Sequence, residues 1–397
     1  MQLLTAALST LSILSTLGCA LFLAYLTSTE RKAPKCSDSV AKLKRSDQKH
    51  SLTVIITAKN EEDTISRCID SLISQTCSDF KILVVDDSSS DNTRQVVQEY
   101  ASKSPRIALI EAGPKPEGWV GKSWPCWRGY ESSDSEFLLF ADADSWFEKG
   151  TIGLALDYVV AEEIDVFSIS PRVKLNGIWA RAVVPIITAA INLLYPMIKV
   201  NDKKSDRAYV FGTFILLKKE TYETIGGHRA VRQEIVEDAA IGKLAKNSGK
   251  KLRVEIGTGY LSTEWENRPS AIYDGLERVA STSIKEYGLV SILNAVLLFF
   301  VGLYPLIFSV ACIVLLLSGD LGPILSTGLV AGLLGILSFL LISYGELRLI
   351  RESVGLAPLL YPIGVAFFVS AVVSTSIKVT YGRKIGWKGE KYAQESK

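Results

Sequence analysis

At 397 residues the chain can hold one sizeable domain and a further region, and its positive mean hydropathy beside a 22% charged fraction gathers the apolar residues into blocks. A formal net charge of +2 is close to neutral, so nothing global points to nucleic acid and no nucleic acid partner is expected. Six scattered cysteines without a C-x-x-C and only two histidines exclude a polyhistidine metal site and argue against a disulfide framework or a zinc site; isolated thiols in a reducing compartment fit better.

Residues 1–29 carry no charged side chain, and 3–26 is long enough to cross a bilayer as a helix. A cleaved signal peptide would need a basic n-region and a shorter apolar stretch. Arg31, Lys32, Lys35, Lys42, Lys44, Arg45 and Lys49 all follow this segment, in or at the end of a basic linker over 30–51. The positive-inside bias therefore predicts a cytoplasmic domain next.

That domain, 52–287, reads as alternating strand and helix. The β-branched run 52–57 predicts a buried strand. It leads through Thr57-Ala58-Lys59-Asn60-Glu61 into a helix with Ile65, Cys68, Ile69, Leu72 and Ile73 on one face. A second strand, 80–85, ends in Asp86-Asp87-Ser88-Ser89-Ser90-Asp91, which fits either a capped turn or a site for ribose hydroxyls and a nucleobase N–H. A helix bearing Val96, Val97 and Tyr100 and a strand at 107–110 follow. In Gly118-Trp119-Val120-Gly121-Lys122-Ser123-Trp124 a phosphate loop would require glycine where Pro116 stands. Lys122 remains a reasonable cation for a diphosphate, and the two tryptophans can pack the loop.

The strand 137–140 ends at Asp142-Ala143-Asp144, two carboxylates at i and i+2 that can meet one hard divalent cation. Such alternation predicts an α/β sheet with right-handed crossovers, whose ligands lie beyond the carboxyl ends of the strands. Three polar clusters fall at such ends. Further on, the uncharged stretch 182–198, with Pro185 and Pro196, fits an interfacial or cleft-lining helix as well as a core helix. Glu237-Asp238 opens a helix carrying Ile241, Leu244 and Ala245. Carboxylates there can compensate the helix dipole or serve as a general base. Three uncharged runs, 287–319, 321–345 and 353–377, predict about three membrane helices over 288–381, before a basic tail, 382–397. With three crossings, Arg383, Lys384, Lys388 and Lys391 would lie outside, against the same charge bias.

As an ordered set over 52–287 these residues resemble the family-2 inverting glycosyltransferases of GT-A fold. The resemblance implies a nucleotide-sugar donor, with Thr57, Ala58, Lys59, Asn60 and Glu61 as its first contacting loop and Asp87 at the base. It implies a divalent metal, Mn2+ or Mg2+, on Asp144 with Asp142 assisting, and an acidic pair in which Asp238 is the catalytic base beside Glu237. The Gly118–Trp124 stretch is similar to a membrane-bound branch associated with hopanoid and carotenoid glycosylation, where Lys122 would contact the donor. No Q-x-x-R-W follows Asp238, the nearest segment being Thr263-Glu264-Trp265-Glu266-Asn267-Arg268-Pro269, which weighs against processive polymerisation. The 271–286 stretch can be an interfacial helix. The expected whole is a multi-pass cell-membrane enzyme with a cytoplasmic catalytic domain and a lipid or lipid-linked acceptor. A processive polysaccharide synthase, a sugar-phosphate nucleotidyltransferase and a non-catalytic nucleotide-sugar-binding scaffold are its rivals.

Overall fold

The structure, a computed structural model, describes residues 2–41, 49–77, 79–265, 268–319, 322–381, 383, 385–387 and 390–392. Lys42, Lys44, Arg45, Glu266, Asn267, Lys384 and Lys388, named above, lie outside the described residues. The chain divides into two compact units, one of Lys32–Lys174 with Tyr195–Glu264, the other of Met1–Arg31, Leu175–Leu194 and Trp265–Lys397.

Among its described residues the first unit opens with β1 (Leu52–Ala58), β2 (Phe80–Asp86), β3 (Ile107–Glu111) and β4 (Phe137–Asp142). It continues with β5 (Ser145–Phe147), β6 (Val166–Ser170), β7 (Arg172–Leu175), β8 (Ile215–Lys218), β9 (Leu252–Ile256) and β10 (Leu261–Trp265). A seven-stranded mixed sheet runs β3-β2-β1-β4-β8-β6-β9, with β8 antiparallel to both neighbours. A small sheet, β5-β10-β7, accompanies it. Both faces of the large sheet are covered, as its near-continuous apolar strands require. Val54, Ile56 and Leu139 share a buried cluster with Ile65, Ile69 and Leu72 of the helix Ile65–Ile73 and with Ile152 and Val159 of the helix Thr151–Ala161. On the other face Gly129, in the helix Ser123–Glu131, lies against Ile55 and Val85 with no room for a Cβ.

Register is what positions the site. Ala58 pairs with Asp86, Thr57 with Asp142 and Asp86 with Glu111, so the parallel strands β1 to β4 end level. Adjacent strands lie about 4.8 Å apart, which brings the three polar strand ends together.

In the second unit the remaining strands, β11 (Ile385–Trp387) and β12 (Glu390–Tyr392), form a hairpin, and the rest is helical. Among the described residues, five helical runs are long and apolar enough to cross a membrane: Gln2–Lys32, Gly177–Val200, Leu289–Leu317, Pro323–Leu349 and Ala357–Thr380. Four coincide with the expected spans. The other is the interrupted stretch read at 182–198, and it runs longer because Arg181 does not end it. That guanidinium pairs with Glu352 at 3.0 Å, so a helix begins at Gly177. Small residues bring helices into close contact. Gly328 and Gly332 of Pro323–Leu349 face Ser9, Phe308 and Ser309, while Ser12 Oγ donates to the Gly328 carbonyl at 2.9 Å and Thr16 Oγ1 to that of Ala331 at 2.6 Å. The expected interfacial segment at 271–286 is part of a continuous helix, Pro269–Tyr287, in which Glu277 is buried against Lys378 at 2.6 Å.

Candidate active site

At the ends of β1 and β2 the two loops are laced together. Asn60 and Ser88 take left-handed backbone conformations, φ 56° and 60°, uncommon for residues other than glycine and typical of functional turns. Asn60 compensates locally, its side-chain oxygen accepting from the Ser90 N–H at 2.8 Å and its own N–H donating to Ser89 Oγ at 3.0 Å. The Glu61 N–H donates to Thr93 Oγ1 at 2.7 Å. The two aspartates at the end of β2 divide their work. Asp86 is buried, with Arg94 at 2.9 Å and the Ser89 N–H within 3.4 Å, which makes it a brace for the turn. Asp87, fixed by its N–H on the Ala58 carbonyl at 2.8 Å, has Lys115 at 3.7 Å.

After β4 the backbone alternates, so Ala143 is buried while Asp142 and Asp144 are both partly exposed. Asp144 Oδ1 accepts from Thr263 Oγ1 of β10 at 3.2 Å. Asp142 Oδ1 accepts from Lys122 Nζ at 2.7 Å, and the same ammonium is 3.0 Å from Glu237 Oε1. Burial disfavours the Lys122 charge, but Asp142, Glu237 and Asp238 together outweigh it and raise the ammonium well above its ordinary range. Beside Glu237, Asp238 Oδ2 accepts from the Gly212 N–H at 3.1 Å, and its Oδ1 accepts from the Ala239 N–H at 2.7 Å. Thr57, Ala58, Lys59, Asn60, Glu61, Asp87, Lys122, Asp142, Asp144, Glu237 and Asp238 thus all belong to the same unit, at its strand ends and the helix start facing them.

Asp142 and Asp144 offer the oxygen donors a hard divalent cation accepts when it keeps phosphate and water among its ligands. Among the described residues no group of three or more His, Cys, Asp or Glu is arranged to hold a metal alone. The donor set therefore suits a cation that arrives with a diphosphate, not a structural ion.

Four contributors escaped the sequence: Gly212, Lys115, Arg94 and Thr263. Each is separated from its partner along the chain or lacks a motif of its own. The tryptophans of the 118–124 stretch do pack the loop, Trp119 against Trp124 with centroids 5.1 Å apart and the Trp124 indole N–H on the Ala112 carbonyl at 3.0 Å. His228 has a structural role. It is buried with Nδ1 2.9 Å from the Tyr222 hydroxyl, and burial, then the nearby Lys122 charge, lower its pKa to about 3. It is neutral at any physiological pH. All six cysteines are free thiols.

Comparison with known proteins agrees with this geometry. Residues 53–238 match the family described as Glycosyl transferase family 2. Two 4,4'-diaponeurosporenoate glycosyltransferases are similar: that of Staphylococcus aureus (strain bovine RF122 / ET3-1) is 28% identical over 48% of this chain and 50% of its own length. That of Staphylococcus haemolyticus (strain JCSC1435) is 25% identical over 56% of this chain and 59% of its own. The chain thus spans about half the length of these relatives. Among solved structures, a mannosyltransferase from Pyrobaculum calidifontis in complex with GDP-Man and Mn2+ aligns with a TM-score of 0.51 at 16% identity, covering 94% of this chain and 98% of that one, a likeness of fold. With its mixed sheet and level strand ends, this chain has a GT-A-type fold, carries over residues 53–238 a region that matches glycosyl transferase family 2, and is similar over about half its length to carotenoid-associated glycosyltransferases.

Proposed function

We propose that the chain is a multi-pass cell-membrane glycosyltransferase that moves a sugar from a nucleotide-sugar to a lipid or lipid-linked acceptor, with inversion, by a single displacement. The observation that carries this reading is the level ending of three polar strand ends, one of which, at Asp142, is tied through Lys122 to Glu237 beside an Asp238 that accepts from the Gly212 amide. The Thr57–Glu61 loop and Asp87 would hold the nucleoside, rigid because the two turns bind each other. Asp238 would accept the acceptor hydroxyl's proton as that oxygen attacks the anomeric carbon and the nucleoside diphosphate departs. Mn2+ or Mg2+ held by Asp144 and Asp142 would neutralise charge developing on the leaving diphosphate. Five apolar helical runs, together with the acceptor named in the staphylococcal relatives, favour a lipid-type acceptor. The basic residues after the first span favour a cytoplasmic catalytic domain.

The test is nucleoside-diphosphate release by detergent-purified protein, across a panel of nucleotide-sugars, with and without Mn2+ or Mg2+ and with a total lipid extract. Metal-dependent release that rises with lipid and is lost in Asp238→Asn is expected. Silence across the panel while nucleotide still binds would refute transfer from these donors.

A further inference from the structure

Lys122 stands where two parts of the site meet. It immediately precedes the helix Ser123–Glu131, whose Gly129 packs closely against Ile55 of β1. Its ammonium reaches Asp142 Oδ1 at 2.7 Å and Glu237 Oε1 at 3.0 Å. The Glu237 side chain is only 3% exposed, and a carboxylate so buried requires a counter-charge. Yet the same ammonium occupies an oxygen of Asp142, a carboxylate that would also hold a divalent cation. An ammonium and a dication cannot both lie close to one carboxylate oxygen without strong repulsion. The lysine stem is flexible enough for its head to leave one partner and keep the other.

We propose that Lys122 is the resident counter-ion of the donor site. It holds Asp142 and Glu237 together before the donor binds, then yields Asp142 to the incoming cation while staying on Glu237. This rests on the transfer reading above and adds an exchange to it: the lysine competes with the metal rather than assisting its binding.

The experiment is Mn2+ binding to the full-length, detergent-purified protein saturated with nucleoside diphosphate, against the nucleotide alone, followed by the electron paramagnetic resonance of free Mn2+. Lys122→Met keeps the stem and removes the charge; it should bind Mn2+ at least about tenfold more tightly than wild type, whereas Lys122→Arg should not. A Mn2+ affinity that is unchanged or weaker in Lys122→Met overturns the counter-ion role. If wild type still binds Mn2+ and releases nucleoside diphosphate, the transfer reading survives that result. Wild type that does neither overturns both. Should Lys122→Met fail to fold, Glu237→Gln carries the same test. It removes one of the carboxylates that draw the ammonium away from Asp142, so Mn2+ should bind more weakly, and unchanged or tighter binding overturns the role.

Discussion

Replacing Gly212 by alanine probes the proposed base without touching a charged group. Gly212 does not adopt a left-handed conformation, so alanine is compatible with its backbone, and the difficulty is one of space. A Cβ there would lie 2.8 Å from Asp238 Oδ2 and 3.0 Å from Lys122 Nζ. The lysine head can swing aside, but the carboxylate is held at a helix start and must retreat by a few tenths of an ångström. That retreat stretches the 3.1 Å bond from the Gly212 N–H toward a length at which little of it survives. Hydrogen bonds to charged groups contribute about 1.5–3 kcal/mol. If that energy orients the base, its loss lowers kcat about 10- to 100-fold. The loops around Asn60 and Ser90 do not touch Gly212 among the bonds described, so nucleotide affinity should hold. Initial rates of nucleoside-diphosphate release and calorimetric titration with the nucleoside diphosphate separate the two effects. A Gly212→Ala protein with kcat within about twofold of wild type, or one whose kcat and nucleotide affinity fall in parallel, refutes the orienting role.

Asp144→Ala should lower turnover by about 10²–10³-fold, by loss of a charge-stabilising group at the leaving diphosphate, checked by initial rates at saturating Mn2+. Gly129→Ala should destabilise the sheet-bearing unit by about 1–3 kcal/mol through a clash with Ile55, read as a lower thermal midpoint. His228 gives a pH dependence with a definite sign. Its folded pKa of about 3 lies below the unfolded 6.5, so the unfolded chain binds the extra proton between these values and stability is lost as pH falls below 6.5. At pH 5 this group alone should cost about 2 kcal/mol, a slope that thermal unfolding from pH 7 to 5 should show in wild type and lack in His228→Gln.

The parallel strands were readable because each is a short β-branched or aromatic run closed by a polar cluster, and a buried strand writes that signature locally. The strands 52–57, 80–85 and 137–140 extend to Ala58, Asp86 and Asp142, one or two residues into the polar ends that carry chemistry. Asp86 and Asp87 were adjacent letters of one motif; both are buried, and only their partners separate them, Asp86 taking Arg94 and the Ser89 N–H while Asp87 lies 3.7 Å from Lys115. Gly212 left no trace because its glycine identity answers to Asp238 and Lys122, distant in sequence, rather than to a turn of its own. The helix beginning at Gly177 was underestimated for a similar reason, since a charge that ends an apolar run on paper is neutralised by Glu352 far along the chain.

The hydroxyl stripe on the first helix bears on how such a chain is made. Ser9 and Thr16 each donate to a carbonyl 315 residues downstream. At about 5–20 residues per second, a ribosome needs roughly 15–60 s to supply those acceptors. Under the proposed membrane reading, the first helix would wait with its hydroxyls facing lipid or the insertion machinery. Serine and threonine tolerate such a wait, because each can turn its hydroxyl to a carbonyl one turn back, as Thr10 does on Ala6 at 2.8 Å. Assembly then exchanges one hydrogen bond for another, and the N-terminal segment stays membrane-compatible both before and after its partner helix exists.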